Sequence, residues 1–271
     1  MATKKSKPAT KTSSAKKTSS AKKAPANPFQ PARRRQPQDE NENKVHILKP
    51  GFVCDTEPRG FIKPKGKSTI KIVVDATAGF VPLWVKNTTL HWRFRENSLR
   101  YFEDPAAAKQ EIRKLINETL AEWGNAAPVK FKENNDTWDF EIVMRQGDDC
   151  VDGGCVLASA FFPDAGRHKL TLYPFLFDQK RTEQVETLAH EFGHIFGLRH
   201  YFALLQEKDS PSEIFGRHNK FTIMNYDDLS QLTKRDRSDL SKLYKLVWSG
   251  ELTTINGKPI KLFKAFHSGI S

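Results

Sequence analysis

Residues 190–200 read H-E-F-G-H-I-F-G-L-R-H. His190 and His194 are four apart, so on an α-helix they stand on one face, one turn from each other. Val185, Leu188, Ala189, Phe192, Ile195 and Phe196 recur at helical spacing around them, which predicts a helix from about 182 to 198. Two neutral imidazoles on one face suit a borderline ion such as Zn²⁺. Glu191 is placed for a general base toward a metal-bound water rather than for a ligand. Gly197 lets the chain leave the helix and swing back, so that His200 supplies a third nitrogen and the fourth position stays open, as hydrolysis requires. The competing reading is an amphipathic helix with two histidines satisfied in the core. Three His, one Glu and one Gly at these spacings favour the metal.

Working outward, Thr89–Arg95 alternates and predicts a strand. Asp104 caps a helix with Pro105 at its first position, and Ile112, Leu115, Ile116, Leu120 and Trp123 give it an apolar face until Gly124 and Pro128. Trp138–Met144, Val156–Phe162 and Lys169–Phe175 read as further strands, and Lys67–Asp75 as a strand amid turns. A last helix is expected at about 234–247 around Leu240, Leu243 and Leu246. Strands with one long helix between them give an α/β (α+β) domain, a mixed sheet partly covered by helices.

Beyond the helix, Thr222–Tyr226 reads T-I-M-N-Y, and 153–163 reads G-G-C-V-L-A-S-A-F-F-P. With the motif at 190–200, these stretches resemble the metzincin clan of zinc peptidases. The resemblance spans about 89–250 and implies a zincin-like fold: a twisted mixed sheet, an active-site helix, and a C-terminal subdomain with a Met-turn. It implies that Met224 lies beneath the metal. As in astacins and serralysins, it also implies that Tyr226 stabilises the oxyanion. Residues 153–163 are similar to the matrixin strand at the upper edge of the substrate cleft. Leu157, Ala158, Ser159 and Ala160 would therefore pair with an extended polypeptide by β-augmentation. Ser159 stands where matrixins have a histidine for a second zinc, and His168 is displaced from the next, so no full structural zinc site is expected. A calcium ion at Asp148, Asp149 or Asp152 is a further expectation, against a merely solvated acidic loop. The matrixin Pro-Arg-Cys-Gly latency sequence is absent. Cys54, in F-V-C-D-T, reads as a core thiol.

The resulting expectation is a zinc-dependent metalloendopeptidase that cleaves peptide bonds by Glu191-assisted attack of water on the metal. The alternative is an inactive metal-binding scaffold with a basic arm. The net charge of +12 is concentrated: residues 1–35 hold eight lysines and Arg33, Arg34 and Arg35 with no acid. Residues 1–44 therefore read as a disordered tail able to touch nucleic acid or an anionic surface. No aromatic interleaves with its lysines, so base stacking is not expected there. Residues 45–88 read as an N-terminal extension, 89–250 as the catalytic domain and 251–271 as a C-terminal extension. No run of apolar residues is long enough to span a membrane, and residues 1–25 lack the apolar centre of a secretory signal. The compartment stays open between extracellular, by resemblance, and intracellular. Cys150 and Cys155 flank a short loop and either pair or remain thiols. Oligomeric state has no signature in the sequence.

Overall fold

The protein is seen as a computed structural model, which describes residues 27–29, 46–49, 51–54, 80–151, 154–198, 222–224, 231–255 and 258–269. The expected strand at 67–75 lies outside them.

In chain order the strands and α-helices are β1 (His46–Lys49), β2 (Gly51–Cys54), β3 (Val81–Trp84), β4 (Thr89–Phe94), α1 (Glu96–Leu99), α2 (Pro105–Trp123), β5 (Lys130–Glu133), β6 (Phe140–Met144), β7 (Asp149–Val151), β8 (Gly154–Val156), β9 (Ala158–Ser159), β10 (His168–Leu172), α3 (Arg181–Ile195), α4 (Lys234–Trp248), β11 (Thr254–Ile255) and β12 (Lys258–Phe263). The main sheet runs β5-β4-β6-β10-β9. Its first four strands are parallel and β9 is antiparallel at the edge. This is the mixed α/β architecture expected.

The alternation in β4 explains its two faces. Leu90, Trp92 and Phe94 are buried, while His91 and Arg93 point away and stay partly exposed. Phe140, Ile142 and Met144 of β6 and Leu170 and Leu172 of β10 continue the buried face, on the side that α2 and α3 cover. Asp104 caps α2 by accepting the Ala107 N–H at 2.9 Å, with Pro105 next to it. Arg181 at the start of α3 joins Glu111 and Glu118 of α2 at 2.8 and 2.5 Å.

Two smaller sheets use segments outside the expected catalytic span. β3 pairs in parallel with β12, and β11 completes that sheet. Leu83, Trp84, Ile255 and Ala265 thereby join the main core. β2 pairs in parallel with β8, extending the β7–β8 hairpin, which Cys150 and Cys155 close with a disulfide. The expected strand at 156–162 is broken into β8 and β9, because Leu157 turns between the two sheets while its carbonyl accepts the Tyr173 N–H at 3.0 Å.

Part of the stretch read as unfolded is packed. Phe29 is 3% exposed, stacked on Phe177 at 3.5 Å and edge-on to Phe102 at 6.0 Å. Asn27 donates to Asp178 at 3.0 Å and accepts the Phe29 N–H at 3.0 Å. One phenylalanine in a lysine-rich segment has enough apolar area to offset ordering three residues. Among the described residues, no helix is long and apolar enough to cross a membrane.

Candidate metal centre

α3 carries the centre because its buried stretch is apolar except at three polar side chains within little more than one turn. His190, Glu191 and His194 are 2%, 0% and 0% exposed among Leu188, Phe192 and Ile195. Buried polar groups of this kind need partners. The His190 Nδ1–H donates to the Ile223 carbonyl at 2.7 Å, and the His194 Nδ1–H donates to the Leu198 carbonyl at 2.9 Å. A carbonyl only accepts, so each ring carries its proton on Nδ1 and its lone pair on Nε2. Both rings are therefore held in the tautomer a metal ligand needs. One ligand atom from each of His190, Glu191 and His194 lies within 4.8 Å of the others, and no other group of three metal-capable side chains occurs among the described residues. Two imidazoles that present Nε2 fit Zn²⁺ by donor chemistry, with the Glu191 carboxylate beside them.

The end of α3 explains His194. The Gly197 N–H bonds to the His194 carbonyl at 2.8 Å and the Leu198 N–H to the Gly193 carbonyl at 2.9 Å. That is a Schellman stop, with Gly197 in the left-handed region at φ +87°. The turn that ends the helix also brings the Leu198 carbonyl back to His194. His200 follows two residues later, outside the described residues, as does Tyr226.

Met224 is fully buried in a 3₁₀ turn, Thr222–Met224, directly under the helix. A Cβ at Gly193 would meet its Sδ at 2.5 Å, so the glycine inside the motif is what lets the methionine sit there. Ile223, next to it, supplies the carbonyl for His190. Ala158 and Ser159 form β9, in register with Leu172 and Thr171, at the edge of the main sheet and against α3. Leu157 and Ala158 are buried, Ser159 is 4% exposed, and Ala160 is half-buried. Phe162 then meets the His194 ring edge-on at 5.2 Å.

His168 stacks on Phe161 at 4.4 Å, and burial holds its imidazole below its ordinary pKa. Asp148 spends one oxygen on the Phe175 N–H at 2.8 Å. Asp152 lies outside the described residues. Among the described residues, neither the second zinc nor the calcium ion gains a donor set. The partners that reading the chain missed are backbone carbonyls, of Ile223 and Leu198, and the aromatic donors that fix α3. Trp123 Nε1 donates to the Ala189 carbonyl at 3.2 Å, one residue before His190. A carbonyl leaves no mark on residue identity. Only Gly197 announces that Leu198 turns back.

A family model described as matrixin matches residues 83–245, more than half of the chain. The chain belongs to the matrixin peptidases. It therefore carries the metzincin zinc motif as a family member, not as a chance pattern. Among curated relatives, this matrixin is 30% identical over 121 residues to stromelysin-3 of Homo sapiens, which covers 40% of this chain and 25% of that protein. Stromelysin-3 of Mus musculus is 29% identical over 103 residues, covering 34% and 21%. The chain thus spans about a quarter of the length of the curated relatives it matches. Among solved structures, it is similar to myroilysin, at 14% identity, covering 60% of this chain and 95% of that one with a TM-score of 0.39. It is also similar to high choriolytic enzyme 1, a hatching enzyme zinc-protease from Oryzias latipes, at 11% identity, 63% and 96% coverage and a TM-score of 0.38.

Proposed function

We propose that this matrixin is a zinc-dependent endopeptidase in which His190, His194 and His200 hold the metal and Glu191 is the general base. The observation that carries the reading is the pair of Nδ1–H donations to Ile223 and Leu198, which commits both imidazoles to present Nε2 on one face of α3. Zinc held there would supply Lewis acidity to a scissile carbonyl and to a water. Glu191, fully buried beside both rings, accepts the proton released as water adds to the peptide carbon. The same carboxyl then returns that proton to the departing amine. Tyr226 donates a hydrogen bond to the oxyanion. Met224 and Gly193 seat the helix against the turn below.

The substrate is a polypeptide in extended form. Its backbone pairs with Ala158–Ser159 of β9, which lies at the end of the main sheet. Pairing through main-chain groups reads strand geometry more than side-chain identity, which suits cleavage inside a chain.

The test is Glu191→Gln in the full chain, with zinc content and cleavage of a proteome-derived peptide library measured on the same sample. Loss of a general base slows turnover by about 10²–10⁴-fold while zinc is retained. A variant that cleaves at the wild-type rate would refute the role. A wild-type protein with no chelator-sensitive cutting would leave only a metal-binding scaffold.

A further inference from the structure

Two side chains outside the zinc motif close on the carbonyls at its end. The Trp84 Nε1–H donates to the Ile195 carbonyl at 2.7 Å, and the Tyr244 hydroxyl donates to the Phe196 carbonyl at 3.0 Å. They are joined to each other, because the Tyr244 oxygen accepts the Trp84 backbone N–H at 3.4 Å. Trp248 Nε1 then donates to the Trp84 carbonyl at 3.0 Å. Trp84 and Tyr244 are each 1% exposed, so no solvent substitutes for these bonds.

The last carbonyls of a helix have no partner within it. Here each of two is given a dedicated donor from elsewhere in the fold: Trp84 from β3, which β12 braces, and Tyr244 from α4. The Phe196 oxygen lies in the peptide plane that joins Phe196 to Gly197. Holding that oxygen fixes the plane from which Gly197 starts its left-handed turn. The turn in turn sets the Leu198 carbonyl against the His194 ring. Pro82 and Leu83 of the same strand β3 crowd Gly197, with the Pro82 oxygen 2.9 Å from where a Cβ would stand. β3 therefore acts on the turn twice, through the indole and through its backbone.

We infer that Trp84 and Tyr244 are positioning residues for the metal, acting through the 195–198 backbone to hold His194 in its ligand orientation. The inference rests on the zinc-peptidase reading above, and it makes the C-terminal helix and the β3–β12 pair part of the metal centre's support.

The experiment uses the full chain and Zn²⁺ itself, titrated in competition with a chromophoric chelator. Co²⁺ substitution serves as a spectroscopic report on ligand geometry. Tyr244→Phe removes one oxygen and keeps the ring. It is expected to weaken zinc binding about tenfold, the low end for a lost outer partner of a ligand, and to alter the Co²⁺ visible spectrum. Leu243→Ala, buried on the same helix, is the comparator: it lowers the metal-free unfolding midpoint and leaves zinc affinity and the spectrum as in wild type. If Tyr244→Phe binds zinc as wild type does, or if Leu243→Ala weakens it equally, the positioning role is overturned while the peptidase reading stands. If wild type binds no zinc, that reading falls first. Should Tyr244→Phe fail to fold, Trp84→Phe removes the indole N–H together with part of the ring volume. Zinc binding weaker than in Leu243→Ala, which also leaves a cavity, then supports the role, whereas binding equal to that comparator overturns it.

Discussion

Replacing Gly197 by alanine tests the link between the helix stop and the metal with a single methyl group. An L-residue in the left-handed region costs about 1–2 kcal/mol, and Gly197 sits at φ +87°. The new Cβ would also stand 2.8 Å from Leu83 Cδ2 and 2.9 Å from the Pro82 oxygen. The leucine methyl can rotate aside. The Pro82 oxygen cannot, because β3 is fixed along its length by β12, with Lys261 opposite Pro82 and Leu262 opposite Leu83. Overpacking of this kind adds about 1–3 kcal/mol, so the expected loss is about 2–5 kcal/mol. Urea unfolding of metal-free protein measures it. A zinc titration of the same variant should show weaker binding as well, because relief of the clash moves the Leu198 carbonyl away from His194. An unchanged urea midpoint together with unchanged zinc affinity would refute the reasoning. It would mean that the turn yields at no cost and that His194 does not depend on it.

Phe29→Ala should lower stability by about 2–3 kcal/mol in urea unfolding. That is less than for a central core phenylalanine, because releasing residues 27–29 recovers their ordering entropy; no change would mean that the stack on Phe177 contributes nothing. Glu141, 6% exposed, is pushed up by burial, but hydrogen bonds from Arg95 and Arg93 outweigh this and hold its carboxyl below the ordinary carboxylate range. A depressed folded pKa contributes stability above the unfolded value near 4.5 that is lost as pH falls through the lower folded value. Glu141→Gln should therefore cost about 1–2 kcal/mol at pH 7, since both arginines are partly exposed. Unfolding curves of variant and wild type should converge as pH drops below about 4.5; parallel curves down to pH 2–3 would contradict the ion-pair account.

The long periodic elements were legible because their burial repeats at the helical or strand period. α2 showed its cap in Asp104–Pro105, and α3 and α4 showed their apolar faces. β3 was hidden by Pro82, which argues against a strand interior, and it is tolerated because β3 is the edge of its sheet. β5, K-F-K-E, gives no apolar alternation to read, because it is an edge strand whose lysines face solvent, as edges prefer. β12 depends on a partner more than 170 residues away, which no local pattern records. At the site, side-chain donors could be read off the motif. What orients them could not, since Ile223 and Leu198 contribute only backbone oxygen, and Tyr244 looks like any other residue of an apolar helix face. His200 and Tyr226 rest on motif spacing.

The ledge at β9 is short for a reason visible in its neighbour. Gly51, Phe52 and Val53 of β2 already lie alongside Gly154, Cys155 and Val156, so the chain's own backbone occupies the ladder just upstream of Ala158. β9 itself is two residues long, and both are buried. A long bare edge would invite a second copy of the protein to zip on and grow into aggregates. A two-residue strand, buried at both positions, gives such a copy too little to hold.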